Sequence, residues 1–115
     1  MAEAGGLVLV DSDVVIDHIR GEHPLPTGLL ACSAITRCEL FAGRENPAFL
    51  RSLLAPMQEI GIDSPIAELG GEIKRGRGLQ TPDALIAASA LVHGLPLLTR
   101  NRRHFGRVPD LQLVG

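Results

Sequence analysis

Hydrophobic residues occur along the chain in short runs that polar and turn-forming residues separate. The first run, residues 7–10, is wholly apolar and ends at Asp11. A strand that is apolar on both faces predicts a parallel sheet with helices packed on both of its sides. Similar apolar runs predict further strands at residues 29–35, 57–62, 95–99 and 111–114.

Between the predicted strands, apolar residues recur at helical spacing and are flanked by residues typical of helix ends. Asn46, Ser64 and Thr81 each precede a proline, which predicts that they are N-cap residues. Residues 74–80 carry two glycines and three cations, which predicts a loop. Helices are predicted at residues 14–20, 36–42, 47–55, 65–73 and 82–93, with a short turn or helix at 101–105.

The alternation of strands and helices predicts one α/β domain over residues 1–115, with residues 1–6 as a loose N-terminal tail. A chain of 115 residues with 45% hydrophobic residues can bury a core without disulfides or metals. Cys32 and Cys38 fit no metal or redox spacing, which indicates small, buried, reduced thiols in a cytosolic protein. No apolar run reaches the roughly 18–20 residues of a membrane span.

The charge of the chain is unevenly distributed. The net charge of −2 excludes a protein coated in nucleic acid, which would be strongly basic. Seven of the 11 basic residues nevertheless form two groups, Lys74, Arg75 and Arg77, and Arg100, Arg102, Arg103 and Arg107. These groups predict either a basic rim that contacts a phosphate polymer or ordinary solvated loops.

Four oxygen-bearing side chains lie where the predicted strands end or where a helix begins. Ligands of open α/β sheets bind beyond the carboxyl ends of the strands, so these side chains are expected to converge there. Two carboxylates about 4 Å apart repel each other by roughly 4 kcal/mol, and a hard divalent cation relieves this repulsion. A metal-activated water can attack phosphorus without a covalent nucleophile. The four residues are Asp11, Glu39, Asp83 and Asn101.

Each acid also has a purely structural explanation. Thr36-x-x-Glu39 matches a capping box, and Asp83 in a first helical turn complements the helix dipole. Asp11 and Ser12 could be helix caps, and Asp13 with Asp17 could form a solvated helix face. The four histidines have no HxxxH or HxH spacing and are not expected to be ligands. The functional interpretation therefore rests on the joint placement of the acids.

Four segments, residues 8–17, 33–43, 82–88 and 98–105, resemble in order the four acidic motifs of PIN-domain nucleases, and in particular of VapC-like toxins. The resemblance implies a three-layer α/β/α sandwich around a central, mostly parallel sheet. It also implies a cytoplasmic endoribonuclease dependent on Mg²⁺ or Mn²⁺, which cleaves RNA, forms homodimers and is inhibited by a cognate antitoxin. The chain is shorter than is usual in this family, and the missing length falls between Ile73 and Thr81.

Carried over by residue, the resemblance implies that Asp11, Glu39 and Asp83 bind the metal. Asn101 occupies the position of a fourth acid, so it would be a neutral ligand or hold a water, and a second metal would bind loosely. The supporting residues would be Ser12 and Thr99, with Asp13 in an outer position. The candidate RNA contacts are Lys74, Arg75, Arg77, Arg100, Arg102 and Arg103.

Two other functions compete with this one. The apolar strand followed by Asp11-Ser12-Asp13 fits the opening motif of haloacid-dehalogenase-like phosphatases, in which the first Asp is a nucleophile. The chain is short for such an enzyme, and residues 83–115 contain no paired-acid motif. The second alternative is a catalytically weak or inactive PIN-like module that acts only by protein contact, and the neutral Asn101 keeps this alternative open.

Overall fold

The computed structural model describes residues 6–115, so residues 1–5 of the predicted tail lie outside the described residues. A five-stranded, wholly parallel sheet forms the middle layer, with the strand order β3-β2-β1-β4-β5. Its strands are β1 (Val8–Val10), β2 (Leu30–Ser33), β3 (Gln58–Ile60), β4 (Leu97–Leu98) and β5 (Leu113–Val114). All five predicted strands are present, each shorter than predicted.

In the part of the chain that the structure describes, six helices connect the strands. They are α1 (Ser12–Ile19), α2 (Ala34–Phe41), α3 (Pro47–Leu54), α4 (Ser64–Arg77), α5 (Thr81–His93) and α6 (Arg102–Phe105). Within residues 6–115, none of the helices is long and apolar enough to cross a membrane.

The sheet separates two hydrophobic cores because successive strand residues point to opposite faces. Leu9 of β1 packs with α4 and α5 residues in one core, whereas Val10 packs with α1, α2 and α3 residues in the other. Both side chains are fully buried. The prediction of a parallel sheet covered on both sides, and of a three-layer α/β/α sandwich, is therefore confirmed.

Helix α4 corrects the prediction of a loop at residues 74–80. The helix continues to Arg77 and ends at Gly78, whose φ of 70° is the left-handed conformation that glycine adopts without strain. Cations in the last turn interact favourably with the negative end of the helix dipole. Gly70 adds close packing against α5, since a Cβ there would lie 2.8 Å from Leu85 Cδ2. Tertiary packing therefore outweighs the local glycine signal.

Several helix starts also differ from prediction. Helix α2 begins two residues earlier, at Ala34. The Ser33 hydroxyl caps the helix by accepting a hydrogen bond from the Ile35 amide. Asp63, rather than Ser64, caps α4 by accepting the Ile66 amide. Gln80 occupies the N-cap position of α5, which the sequence assigned to Thr81.

One predicted cap and one of the two thiols match the structure. The prediction for Asn46 is confirmed, since its side chain accepts the amides of Ala48 and Phe49. The prediction that both thiols are buried is correct for Cys32 and wrong for Cys38, which is exposed.

Candidate active site

Asp11 lies at the carboxyl end of β1, the central strand of the sheet. Its amide donates to the Leu98 carbonyl at 2.9 Å, which ties the residue to β4. One carboxylate oxygen accepts the Ser12 amide at 2.8 Å, and the other accepts the Thr99 hydroxyl at 2.7 Å. Asp11 is also the N-cap residue of α1, so the cap interpretation and the site interpretation describe the same position.

The Asp11 carboxylate is unusually hard to ionise. Only 5% of the residue is exposed. Burial raises its pKa to about 7, and the negative charges of Asp13 and Asp83 act in the same direction. The hydrogen bonds from Thr99 and Ser12 lower the pKa but only partly offset the burial. The folded protein therefore holds a carboxylate that a nearby cation would strongly stabilise.

Glu39 projects from α2 towards the first turn of α1. Its carboxylate accepts a hydrogen bond from the Ser12 hydroxyl, which also lies 2.9 Å from the Thr36 hydroxyl. The capping-box explanation for Thr36 and Glu39 is wrong, because Ser33 caps α2 and Thr36 is the third residue of the helix. Sequence reasoning thus missed Thr36 as part of the site. Its spacing of three residues from Glu39, one helical turn, was the available signal.

Asp83 lies in the first turn of α5 and is half-buried. Burial raises its pKa, the charges of Glu39 and Asp13 raise it further, and His104 lowers it. Asp83 therefore shares one electrostatic environment with the acids of α1 and α2. Interaction with the helix dipole alone does not account for the position of Asp83, because a carboxylate that served only as a dipole partner would not face two other acids.

Asp13 and Asp17 hold the segment that follows β4. The Arg100 amide donates to both Asp13 carboxylate oxygens, at 3.3 and 3.1 Å, and Arg100 Nε donates to Asp17 at 2.9 Å. The Thr99 hydroxyl also approaches Asp13 at 3.5 Å. The interpretation of the two acids as a solvated face is therefore wrong. They fix a loop that is more than 80 residues away in sequence.

The Asn101 side chain contacts His104. Its backbone amide donates to the Thr99 hydroxyl at 2.9 Å, and its side-chain Nδ2 lies 2.8 Å from His104 Nδ1. His104, which the sequence pattern indicated to be a non-ligand, lies near Asp83 and Asn101. It follows Asn101 by three residues, and this spacing was the signal that could have identified it.

The chemistry of these donors fits a hard divalent cation. Asp11, Glu39 and Asp83 offer only oxygen atoms, and burial together with neighbouring negative charges raises the pKa of Asp11. Over residues 6–115, however, no three His, Cys, Asp or Glu side chains lie close enough together to hold a metal ion. The acids are electrostatic neighbours, but their side chains are not arranged as a ready-made three-ligand cluster.

The candidate RNA-binding cations occupy different settings. Lys74 and Arg75 border a cavity of about 380 Å³ together with Gln80, three residues before Asp83. Arg100 is paired with Asp17, and Arg102 donates to the Val114 carbonyl at 3.2 Å. Arg77 and Arg103 are exposed near these positions in sequence.

Comparison with known proteins gives one consistent result. Residues 8–111 match the family profile described as PIN domain. Ribonuclease VapC19 of Mycobacterium tuberculosis is 38% identical, over 90% of this chain and 96% of that protein. The tRNA(fMet)-specific endonuclease VapC of Salmonella typhimurium is 28% identical, over 84% of this chain and 83% of that protein. A toxin–antitoxin complex from Klebsiella pneumoniae contains a similar chain, with a TM-score of 0.76, 29% identity, and coverage of 90% and 94%.

Proposed function

The chain belongs to the PIN-domain family, and from this we propose that it is a metal-dependent endoribonuclease and the toxin of a toxin–antitoxin pair. One observation carries the proposal: the Asp11 carboxylate is buried at the end of the central strand, and other acids face it. Two similar proteins are named a ribonuclease and an endonuclease, which supports the same activity here.

We assign Asp11, Glu39 and Asp83 as the residues that would hold a divalent cation, Mg²⁺ or Mn²⁺. Asn101 would serve as a neutral ligand or hold a water. When bound, the cation would activate water for attack on phosphorus and stabilise the charge that develops on the phosphoryl oxygens. Three carboxylates rather than four imply one firmly held ion and at most a loosely held second one.

The other residues orient these acids. The Ser12 amide and the Thr99 hydroxyl occupy both Asp11 oxygens, so they fix the rotation of the carboxylate and favour its charged form. Asp13 holds the Arg100 amide and thereby keeps Thr99 and Asn101 next to β1. From these contacts we propose that Ser12, Thr99 and Asp13 orient the metal-binding residues without binding the metal themselves.

We further propose that RNA phosphates contact the exposed cations beside the acidic centre, and that a cognate antitoxin inhibits the enzyme. The similar Klebsiella pneumoniae chain comes from a toxin–antitoxin complex, which supports the latter. Homodimerisation and a cytoplasmic location belong to the same proposal. The proposed RNA contacts are Lys74, Arg75, Arg77, Arg100, Arg102 and Arg103.

The direct test is cleavage of a structured RNA by the full chain with Mg²⁺, with Mn²⁺ and with excess chelator. We expect cleavage in the presence of either ion and none with the chelator. In the proposed mechanism the attacking group is a metal-activated water, so removing the metal removes the nucleophile. An RNA that stays intact under all three conditions would favour the inactive binding module. Aspartyl phosphate trapped on Asp11 would instead favour the phosphatase.

The cavity next to Lys74 and Arg75 leads to a separate prediction about RNA affinity. We expect the double variant Lys74→Gln/Arg75→Gln to bind uncleaved RNA more weakly. The slope of log K against log salt should fall by about 0.7 for each phosphate of single-stranded RNA that the variant no longer neutralises. Binding is measured by fluorescence anisotropy at several salt concentrations without divalent ions. The matched control is Arg51→Gln, which removes an exposed cation on α3. Equal slopes for the double variant and wild type would refute the proposed RNA contact.

A further inference from the structure

We propose that Thr36 is a positioning residue for Glu39. Through Ser12, the buried Thr36 hydroxyl restricts the orientation of the Glu39 carboxylate before a divalent cation binds. The inference rests on the proposed function, since it deepens the assignment of Glu39 as a metal ligand. Thr36 itself touches neither the substrate nor the cation.

The geometry consists of three side chains in a row. The Thr36 hydroxyl is fully buried and lies 2.9 Å from the Ser12 hydroxyl, which contacts a Glu39 carboxylate oxygen. Ser12 is itself buried, with 8% of the residue exposed, whereas Glu39 is exposed. The row therefore runs from the core between α1 and α2 to the surface of the site.

The proton count sets the direction of these bonds. A carboxylate can only accept, so the single Ser12 hydroxyl proton is directed at Glu39. The Ser12–Thr36 contact then needs the Thr36 proton, and Thr36 donates to Ser12. The Thr36 hydroxyl also contacts the Cys32 thiol, whose pKa burial raises to about 11. That thiol stays protonated and is a weak acceptor, which leaves Ser12 as the better partner.

Glu39 needs such support more than Asp11 does. Asp11 is short, buried and held by two hydrogen bonds. Glu39 has one more rotatable bond and an exposed side chain, and Ser12 is its hydrogen-bond donor within the described part of the chain. Fixing a long side chain before a cation arrives removes an entropy cost from binding. A buried hydroxyl behind the donor keeps that donor in the required rotamer.

The experiment measures Mn²⁺ binding to the full chain by calorimetry. We expect Thr36→Val, which keeps the shape but removes the hydroxyl, to weaken Mn²⁺ binding about 10-fold or more. Thr36→Ser should restore affinity to near the wild-type value, because it returns the donor. Ser12→Ala interrupts the same row from the other side and should reproduce the loss. It therefore provides an independent test where Thr36→Val does not fold.

The matched control is Ser89→Ala, which removes another fully buried hydroxyl, bonded to the Leu85 carbonyl of its own helix. This variant should bind Mn²⁺ like the wild type. A second measurement uses metal-free protein: ¹³C relaxation of the Glu39 side chain should show lower order in Thr36→Val than in wild type.

The possible outcomes separate the inference from the proposed function. Wild-type protein that binds no Mn²⁺ would contradict the proposed function, while the relaxation measurement would still decide the role of Thr36. Wild-type Mn²⁺ affinity and wild-type Glu39 order in both Thr36→Val and Ser12→Ala would overturn the inference. An equal loss of Mn²⁺ affinity in Ser89→Ala would also overturn it, since the effect would then be general.

Discussion

Replacing Asp11 with asparagine is expected to abolish RNA cleavage while making the folded protein more stable at pH 8. The variant loses a charged ligand from the proposed cation site, and a loss of several kcal/mol of transition-state stabilisation corresponds to roughly 10²–10⁴-fold in rate. It also removes a buried carboxyl group whose pKa is about 7 and which is therefore mostly charged at pH 8. We expect the free energy of unfolding at pH 8 to rise by about 1–3 kcal/mol. RNA cleavage and urea denaturation of the same preparations measure both effects.

The matched control for this substitution is Asp110→Asn. Asp110 is exposed, and its φ of 67° is a conformation that asparagine also tolerates. The control makes the same chemical change away from the site, so it should leave both cleavage and stability unchanged. Cleavage by Asp11→Asn at the wild-type rate would contradict the nuclease assignment. A less stable Asp11→Asn protein would instead contradict our account of the buried charge.

The wild-type protein is expected to lose stability as the pH rises from about 4 to above 7 in the absence of divalent ions. The pKa of Asp11 rises from 3.8 to about 7 on folding, so the folded state binds its proton more tightly than the unfolded state. The stabilising contribution is therefore complete below pH 3.8 and is lost as the pH rises through 7. Its full size is roughly 4 kcal/mol, and the raised pKa of Asp83 acts in the same direction.

Urea denaturation at pH 5 and pH 8.5 in the presence of chelator tests this dependence. Asp11→Asn is the control, because without the carboxyl group most of the difference between the two pH values should disappear. Adding Mn²⁺ at pH 8.5 should raise the stability of the wild type but not of Asp11→Asn, since a bound ligand stabilises only the folded state. An identical pH dependence in both proteins would show that Asp11 is not the responsible group.

The layered fold could be predicted from the sequence because the same pattern, an apolar strand followed by a helix, recurs along the chain. Residues 7–10 are apolar on both faces, and the following strands alternate with helical patterns, which together indicate a parallel sheet. The position of Asp11 follows directly from the end of that first run. The placement of Asp11 and Glu39 near one edge of the sheet then follows from β1 and β2, since the carboxyl ends of parallel strands share an edge. Asp83 reaches the same electrostatic environment from the first turn of α5.

The details that the sequence did not predict depend on contacts between distant residues. The bond between Arg100 and Asp17 joins positions 83 residues apart, and no local pattern indicates it. Helix α4 extends through a glycine-rich segment because it packs against α5, whereas the local composition favours a loop. The contact between the Thr36 and Ser12 hydroxyls was not predicted, because Thr36-x-x-Glu39 also matches a capping box, and only the structure shows that Ser33 is the N-cap residue.

During synthesis on the ribosome, β1 emerges long before β4, its neighbour on one side. Asp11 then lacks both the Leu98 carbonyl that accepts its amide and the Thr99 hydroxyl that orients its carboxylate, 88 residues later in the chain. Contacts of such long sequence separation form late in folding. The acidic centre is therefore completed only after β4 and Thr99 have left the ribosome. An unfinished copy of the proposed toxin is accordingly expected to be harmless to the cell that makes it.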